Sequence, residues 1–281
     1  MGIAIVIFLV FLLLGMPVAF AIGISGFSFF IIRDLPMTML VQKSISATQS
    51  FTMLAIPLFI LAGNLMNATG ITKRLMRLAN VLTGHMYGNV GQVSCVLSTL
   101  MGGVSGSAVA DAAMETRILG PEMERLGYAK GWAAAINGLS GLIVATIPPS
   151  MGLIIYGTVG EVSIGRLFMA GWVPGLLMMV LLMLATSWSA HHFGYKPEHT
   201  KRATLKQIGR EIVSSIWALL FPVLLIVLIR FGIMSPSESG AFACAYALFV
   251  GIVIYKELNW ETLMKTLKDS VKDITVITII L

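Results

Sequence analysis

Arg33 is the first charged residue of this chain. Residues 2–32 are almost wholly apolar, interrupted only at Gly15-Met16-Pro17. About 20 apolar residues cross a bilayer as a helix. Proline removes a helical hydrogen bond, so this run is either one kinked helix or two short ones. Apolar runs recur over 51–68, 163–190, 213–231 and 240–255. Across all 281 residues, 57% are hydrophobic and 11% charged, against about 25% charged in soluble domains. A globular core cannot hide that much apolar surface. The composition excludes a water-soluble enzyme, a disordered chain and a nucleic-acid-binding domain, and it requires a lipid bilayer.

Between the runs lie segments of different character. Residues 33–50 are mixed and polar. Residues 70–87 set Lys73, Arg74 and Arg77 against Leu75, Leu78, Val81 and Leu82, the pattern of a helix lying along a membrane surface. Residues 191–212 form the most basic loop, and 256–272 are again amphipathic and charged. The segments 70–87, 115–130, 191–212 and 256–272 hold 15 of the 19 Lys and Arg residues, which places all four on the cytoplasmic side. If Gly15–Pro17 splits the first run, the N-terminus lies outside; a single kinked helix would put it inside. Glu161 and Glu238 sit at span ends as solvated or interfacial groups, and Arg230 can snorkel to the membrane edge. Residues 274–281 read as the opening of a further span, so the chain is expected to be one part of a longer protein.

Two interruptions carry the chemistry. In residues 88–127 an apolar stretch runs into Gly102-Gly103-Val104-Ser105-Gly106-Ser107, followed by small residues and Asp111. Neither half is a full span, so the segment reads as a re-entrant hairpin with a polar tip, tolerated only where protein or water satisfies its backbone. Gly103, Ser105, Gly106, Ser107 and Asp111 are the candidates for holding an ion such as sodium, because glycines admit a ligand to the backbone and an intramembrane carboxylate is costly. The competing reading is a Gly-xxx-Gly packing face, which Gly102 and Gly106 also satisfy. Residues 131–159 break at Pro148-Pro149-Ser150, where the next half-helix begins and offers unpaired N–H groups to an anion. Two discontinuous helices in one chain are the build of a secondary-transporter site.

An intramembrane serine hydrolase using Ser105 is the alternative, since Gly103-Val104-Ser105-Gly106 matches a Gly-x-Ser-Gly pattern. That chemistry needs an imidazole beside the serine. His85, His191, His192 and His199 all fall outside the spans, so catalysis is not expected. There is no HExxH and no Walker A motif.

The chain resembles the large permease (DctM-like) subunit of tripartite ATP-independent periplasmic (TRAP) transporters. The likeness rests on Gly15-Met16-Pro17-Val18-Ala19-Phe20, on Leu54 through Gly63 (LAIPLFILAG), and on Ser105 through Asp111 (SGSAVAD). It continues in Ile147-Pro148-Pro149-Ser150, Ile155-Tyr156-Gly157, Ser163 through Gly171 (SIGRLFMAG) and Pro174-Gly175. The resemblance implies a bacterial inner-membrane, multi-pass permease importing an organic anion, of the C4-dicarboxylate or sugar-acid type, with sodium as the coupling ion and no other cofactor or metal. It implies two partners: a small four-helix membrane subunit and a periplasmic substrate-binding protein. It implies an all-α, ion-transporter-like inverted-repeat fold of elevator type with its C-terminal repeat incomplete here. In that layout 1–87 are scaffold spans and an arm helix. Residues 88–190 are the transport elements (88–127, 131–159 and 163–190), 191–212 the cytoplasmic loop, and 213–281 the start of a second repeat with 256–272 as its arm helix. Ser105 and Ser150, with Pro148 and Pro149, would face substrate, and the tip would bind sodium. After Asp111 the sequence reads Ala112-Ala113-Met114-Glu115-Thr116-Arg117, where many members have small uncharged residues, which unsettles the expected hairpin packing.

Overall fold

A computed structural model describes residues 2–48, 51–197 and 202–280. Among them all regular structure is helical. His199, Lys201 and Leu281, at which the sequence reading also pointed, lie outside the described residues.

The first apolar run is two helices, α1 (Gly2–Leu13) and α2 (Val18–Ile32), packed on each other. Gly15 turns the chain with φ +81°, in the left-handed region open to glycine, and Pro17 precedes the first turn of α2. At about 1.5 Å per residue both helices are short for a bilayer. The mixed segment that follows is helical too: α3 covers Met37–Thr48.

The next run enters through a 3₁₀ turn, Phe51–Leu54, and becomes α4 (Ala55–Ala68). Gly70, at φ +72°, then turns the chain by 68° into α5 (Ile71–Thr83). The amphipathic reading of this segment holds, with a shifted face. Ile71, Leu75, Leu78 and Ala79 are buried, whereas Leu82 is exposed. The buried face packs on the next helix, so the apolar side of α5 covers protein.

Two helices, α6 (Asn89–Gly102) and α7 (Ala108–Arg125), form the hairpin, and α8 (Lys130–Thr146) and α9 (Met151–Val159) form the broken helix with a 48° bend. At the base of the hairpin, Tyr128, Trp132 and Tyr195 form a cluster of edge-on and tilted ring contacts, with Tyr128 Oη donating to Asn89 Oδ1 and Trp132 Nε1 donating to Ser189 Oγ. These rings tie the hairpin and α8 to α10 (Ile164–His192), a continuous helix of 29 residues with Pro174 inside. Gly171 and Gly175 let α10 lie against the break of α8. A β-carbon on Gly171 would come within 2.5 Å of Thr146 O, and one on Gly175 within 2.4 Å of Ile147 Cγ1.

The basic loop contains a helix, α11 (Leu205–Ser214), bent by 64° from α12 (Ile216–Arg230). Then α13 (Pro236–Phe249) starts with a capping box between Ser235 and Glu238 and ends in a π-turn, Val250–Ile254. Glu238 is thus a cap rather than a merely solvated group. The last helix, α14, runs from Trp260 to Ile280. Residues 274–280 continue this helix without a break, and it begins at Trp260.

The core sits around α4, which packs against α13, α14, α9 and α5. Asn64 Nδ2 donates to Ser270 Oγ at 3.1 Å and to Asp273 Oδ2 at 2.9 Å, fixing α14 to α4. Arg74 pairs with Glu257 at 2.9 Å and lies over the Tyr255 ring, 3.6 Å from its centroid. Two helices, Ile164–His192 and Pro236–Ile254, are long and apolar enough to cross a membrane alone, and three bent pairs qualify together. The hairpin is in neither class, because α6 has only 14 residues and the 18 residues of α7 carry Asp111, Glu115, Arg117, Glu122, Glu124 and Arg125.

The α10 contact gives a first expectation. Replacing Gly171 with leucine should push α10 off the break and cost about 1–3 kcal/mol, the usual penalty of overpacking. The melting temperature in detergent should fall, while Gly138→Leu, where no atom lies within 4 Å of the added β-carbon, should leave it unchanged.

Candidate functional site

The two interruptions meet. The hairpin tip, Gly103–Ser107, lies against the break, and Met151 N, at the start of α9, donates to Gly106 O at 3.1 Å. Gly106 has φ +61°, and a β-carbon there would stand 2.5 Å from Pro149 O. Only glycine allows both the turn and the approach. The tip also touches two other helices. Ser105 Cα and O stand 3.1 Å from the place of a β-carbon on Gly63 of α4, and Gly103 faces Pro222 of α12 at 2.4 Å by the same measure. Gly63 closes the LAIPLFILAG motif, so that glycine has a physical reason to be small.

Ser105 is nearly buried, and its hydroxyl donates to Met101 O at 3.4 Å. Its partner is a backbone carbonyl, not an imidazole. Of the described histidines, His191 packs edge-on against Tyr87 at the hairpin base and His192 stacks on Trp188. The nucleophile arrangement a serine hydrolase needs is missing among the described residues.

Ser150 is wholly buried. Its hydroxyl donates to Ala145 O at 2.5 Å and accepts from Leu153 N at 3.5 Å. The Ala145 carbonyl would ordinarily receive the N–H four residues on, at Pro149, which has none. Ser150 supplies the missing hydrogen and also caps α9. Pro148 and Pro149, joined by a cis peptide bond, make the break that Ser150 mends. Ser107 caps α7 in the same way, accepting from Ala110 N at 3.4 Å. The chain thus begins two half-helices with serine caps, one at each interruption. Gly152, in the first turn of α9, is exposed beside them.

Asp111 does not point at the tip. It lies in the first turn of α7, 1% exposed, facing α6, where Ser98 Oγ donates to its Oδ2 at 2.7 Å. One turn further on, Glu115 is fully buried between α6 and α8. Its Oε1 stands 2.7 Å from Ser98 Oγ, and its Oε2 stands 2.5 Å from Ser94 Oγ and 2.8 Å from Ser140 Oγ. Ser94 and Ser140 are themselves 2.9 Å apart. Glu115 thus gathers three hydroxyls from two helices, and one serine serves both carboxylates. Sequence reasoning singled out Glu115 only as a departure that unsettled the packing. In the structure it is the centre of that packing. The signal was available: Ser94 and Ser98 lie one turn apart on α6, as Asp111 and Glu115 do on α7, so two polar pairs share one register. Asp111 Oδ1 and Asn137 Oδ1 are buried without a hydrogen-bond partner.

Truncating the hub should be costly. Glu115→Ala would remove the acceptor that Ser94, Ser98 and Ser140 share and leave a void between α6 and α8, at a cost of about 3 kcal/mol. Glu115→Gln keeps an acceptor oxygen and should lose less. Melting temperatures in detergent compare the two, and equal values would show that the hydroxyls do not depend on this side chain.

Residues 5–281 match the family described as the DctM component of the tripartite ATP-independent periplasmic transporter. Among similar proteins is the 2,3-diketo-L-gulonate TRAP transporter large permease protein YiaN of Escherichia coli, 38% identical over 94% of this chain and 62% of that one. The sialic acid TRAP transporter permease protein SiaT of Haemophilus influenzae is 36% identical over 94% of this chain and 43% of its own length. The C4-dicarboxylate TRAP transporter large permease protein DctM of Rhodobacter capsulatus is 31% identical over 92% and 62%. The chain therefore spans less than two thirds of the length of these relatives. They are named as transporter permeases, not enzymes, in keeping with a buried Ser105 that has no imidazole. An all-helical membrane chain whose interrupted helices meet tip to break, matched to this family over nearly its whole length, belongs to the DctM component of the TRAP transporters.

Proposed function

We propose that this chain forms part of a permease that imports an organic anion with sodium across a bacterial inner membrane, receiving the solute from a periplasmic binding protein and working beside a small membrane subunit. The observation that carries the proposal is the docking of the hairpin tip on the broken helix through Gly106 O and Met151 N. It gathers irregular backbone, two serine caps and a half-helix N-terminus at one place in the apolar zone, as a transporter site requires. The carboxylate of the solute is met by the start of α9, where Gly152 is exposed, and by the hydroxyls of Ser105 and Ser107. Sodium is met by tip carbonyls around Gly103, Ser105 and Gly106. Asp111 supports the ion through charge held in the hairpin body rather than as a tip ligand. The relatives are named for 2,3-diketo-L-gulonate, sialic acid and C4-dicarboxylates. The class proposed here is accordingly a carboxylate-bearing sugar acid or dicarboxylate.

The elevator reading has its own support. Residues 88–190 are bound internally by hydrogen bonds, through Glu115, through Gly106 and Met151, and through Gln92 Nε2 to Met183 O. The scaffold is bound internally by Asn64 to α14, Arg74 to Glu257, and Ser215 Oγ to Arg74 O. Where the tip meets α4 and α12 the contacts are Gly63 and Pro222, with no hydrogen bond among those described. Such a contact between small groups permits sliding.

The test is uptake in proteoliposomes holding the full-length permease, its small subunit and its binding protein. Uptake of an organic acid should require both an inward sodium gradient and the binding protein; uptake indifferent to either would refute the reading. Ser105→Ala should reduce uptake about tenfold, the effect of losing one hydrogen bond to a charged group. Ser150→Ala should also reduce it, but with a loss of stability of about 1 kcal/mol because Ala145 O loses its donor. Unchanged uptake in both variants would remove these serines from the site.

A further inference from the structure

Fifteen of the 19 basic residues lie in the four cytoplasmic segments, leaving Arg33, Lys43, Arg166 and Arg230. Basic residues away from the cytoplasmic face run against the charge rule and call for a reason. The structure brings two of the four together. Arg166, in the first turn of α10, and Arg230, at the end of α12, line one cavity of about 340 Å³. Its other walls are Ser163 and Gly165 at the start of α10 and the apolar Phe168, Met169, Ile226 and Ile229. Gly165 lets the two helices close over it, with Ile229 Cγ2 3.1 Å from the place of its β-carbon. Neither arginine has an ion-pair partner among the described residues. Of the carboxylates at this edge, Glu238 accepts from Ser235 N at 2.7 Å, and Glu161 is exposed and forms no ion pair.

We propose that this cleft binds the phosphate headgroup of an anionic phospholipid. The two guanidiniums supply charge and forked donors suited to phosphate, and the start of α10 adds its partial positive charge. A free phosphate would use the same donors. The lipid is favoured by what lies below the cleft. Met169, Val173, Leu177 and Leu181 follow at intervals of four residues along α10, and all are exposed. They form a continuous apolar track from the charged mouth into the membrane zone, of a kind an acyl chain covers and a soluble anion does not need. The site is separate from the hairpin tip and does not depend on which solute, if any, is transported.

Native mass spectrometry of the full chain in detergent tests this with phosphatidylglycerol, phosphatidylcholine and soluble glycerol phosphate as probes. Phosphatidylglycerol should be retained in preference to phosphatidylcholine, and Arg166→Gln and Arg230→Gln should each reduce its retention about tenfold, the effect of losing one charged hydrogen bond. Arg→Lys at either position should retain part of the binding. Equal retention of the two lipids by the wild-type protein would overturn the proposal without reference to any variant. So would unchanged phosphatidylglycerol retention in folded glutamine variants. Glycerol phosphate competing as well as the lipid would make this a soluble-anion site, and arginine-dependent capture of the binding protein with no lipid preference would make it a protein-docking site; either outcome overturns the lipid assignment.

Discussion

The hydrogen bond from Met151 N to Gly106 O joins the tip of the α6–α7 hairpin to the break between α8 and α9. In the hydrocarbon zone there is no water to satisfy a free carbonyl or amide, so each interruption of a helix must find its partner in the protein. One interruption here satisfies the other. The hairpin turns with a carbonyl to offer, and the half-helix α9 begins with an amide to give. Gly106 makes the approach possible, and Ser150 supplies the hydrogen that Pro149 cannot. Much of 88–190 follows from keeping this junction in register: α6 and α7 carry the tip to it, α8 carries the break, and the glycines of α10 clear the space behind it.

The register itself is set deeper in the hairpin. Glu115 draws Ser94 and Ser140 together from α6 and α8, and Ser98 links it to Asp111. A carboxylate held by three hydroxyls is directional in a way that apolar packing is not, because a slip of one residue along either helix would leave it unsatisfied. This explains why a charged residue appears where small uncharged ones were expected. It acts as a clasp that fixes three helices at once, and the apolar contacts around it, such as Leu97, Met101 and Leu119, fill in.

How much of this could be read in the sequence divides along physical lines. The hairpin and the broken helix were legible because glycine and proline act on the local backbone, and local effects survive into the fold. The amphipathic helix α5 was legible from its periodicity, although its buried face is turned toward Ile71 and Ala79 by the neighbour it covers. What the sequence did not reveal are the pairings between segments far apart in the chain. The mending role of Ser150 depends on Ala145 lying at the right turn, and the orientation of Asp111 depends on α6 lying behind it. The unbroken course of α14 from Trp260 to Ile280 is hard to see in the sequence for another reason: the apolar tail after Asp273 changes composition without changing conformation.

The distribution of polar contacts then bears on motion. Inside the hairpin and broken-helix body they are many and buried, and inside the scaffold they bind α4, α5, α12 and α14 into one frame. Between the two bodies the tip presents Gly103 to Pro222 and Ser105 to Gly63, and among the described residues the polar contact nearby is the long approach of Thr72 Oγ1 to Met101 Sδ, 3.8 Å. Breaking a hydrogen bond in a dry environment costs far more than sliding one small apolar surface over another, because the freed groups have no water to turn to. The seam also includes α5, which packs on α6 and buries Ile71, Leu75, Leu78 and Ala79, so apolar contacts join the two bodies while buried hydrogen bonds hold each one together. A rearrangement within the hairpin would have to open the Glu115 clasp first.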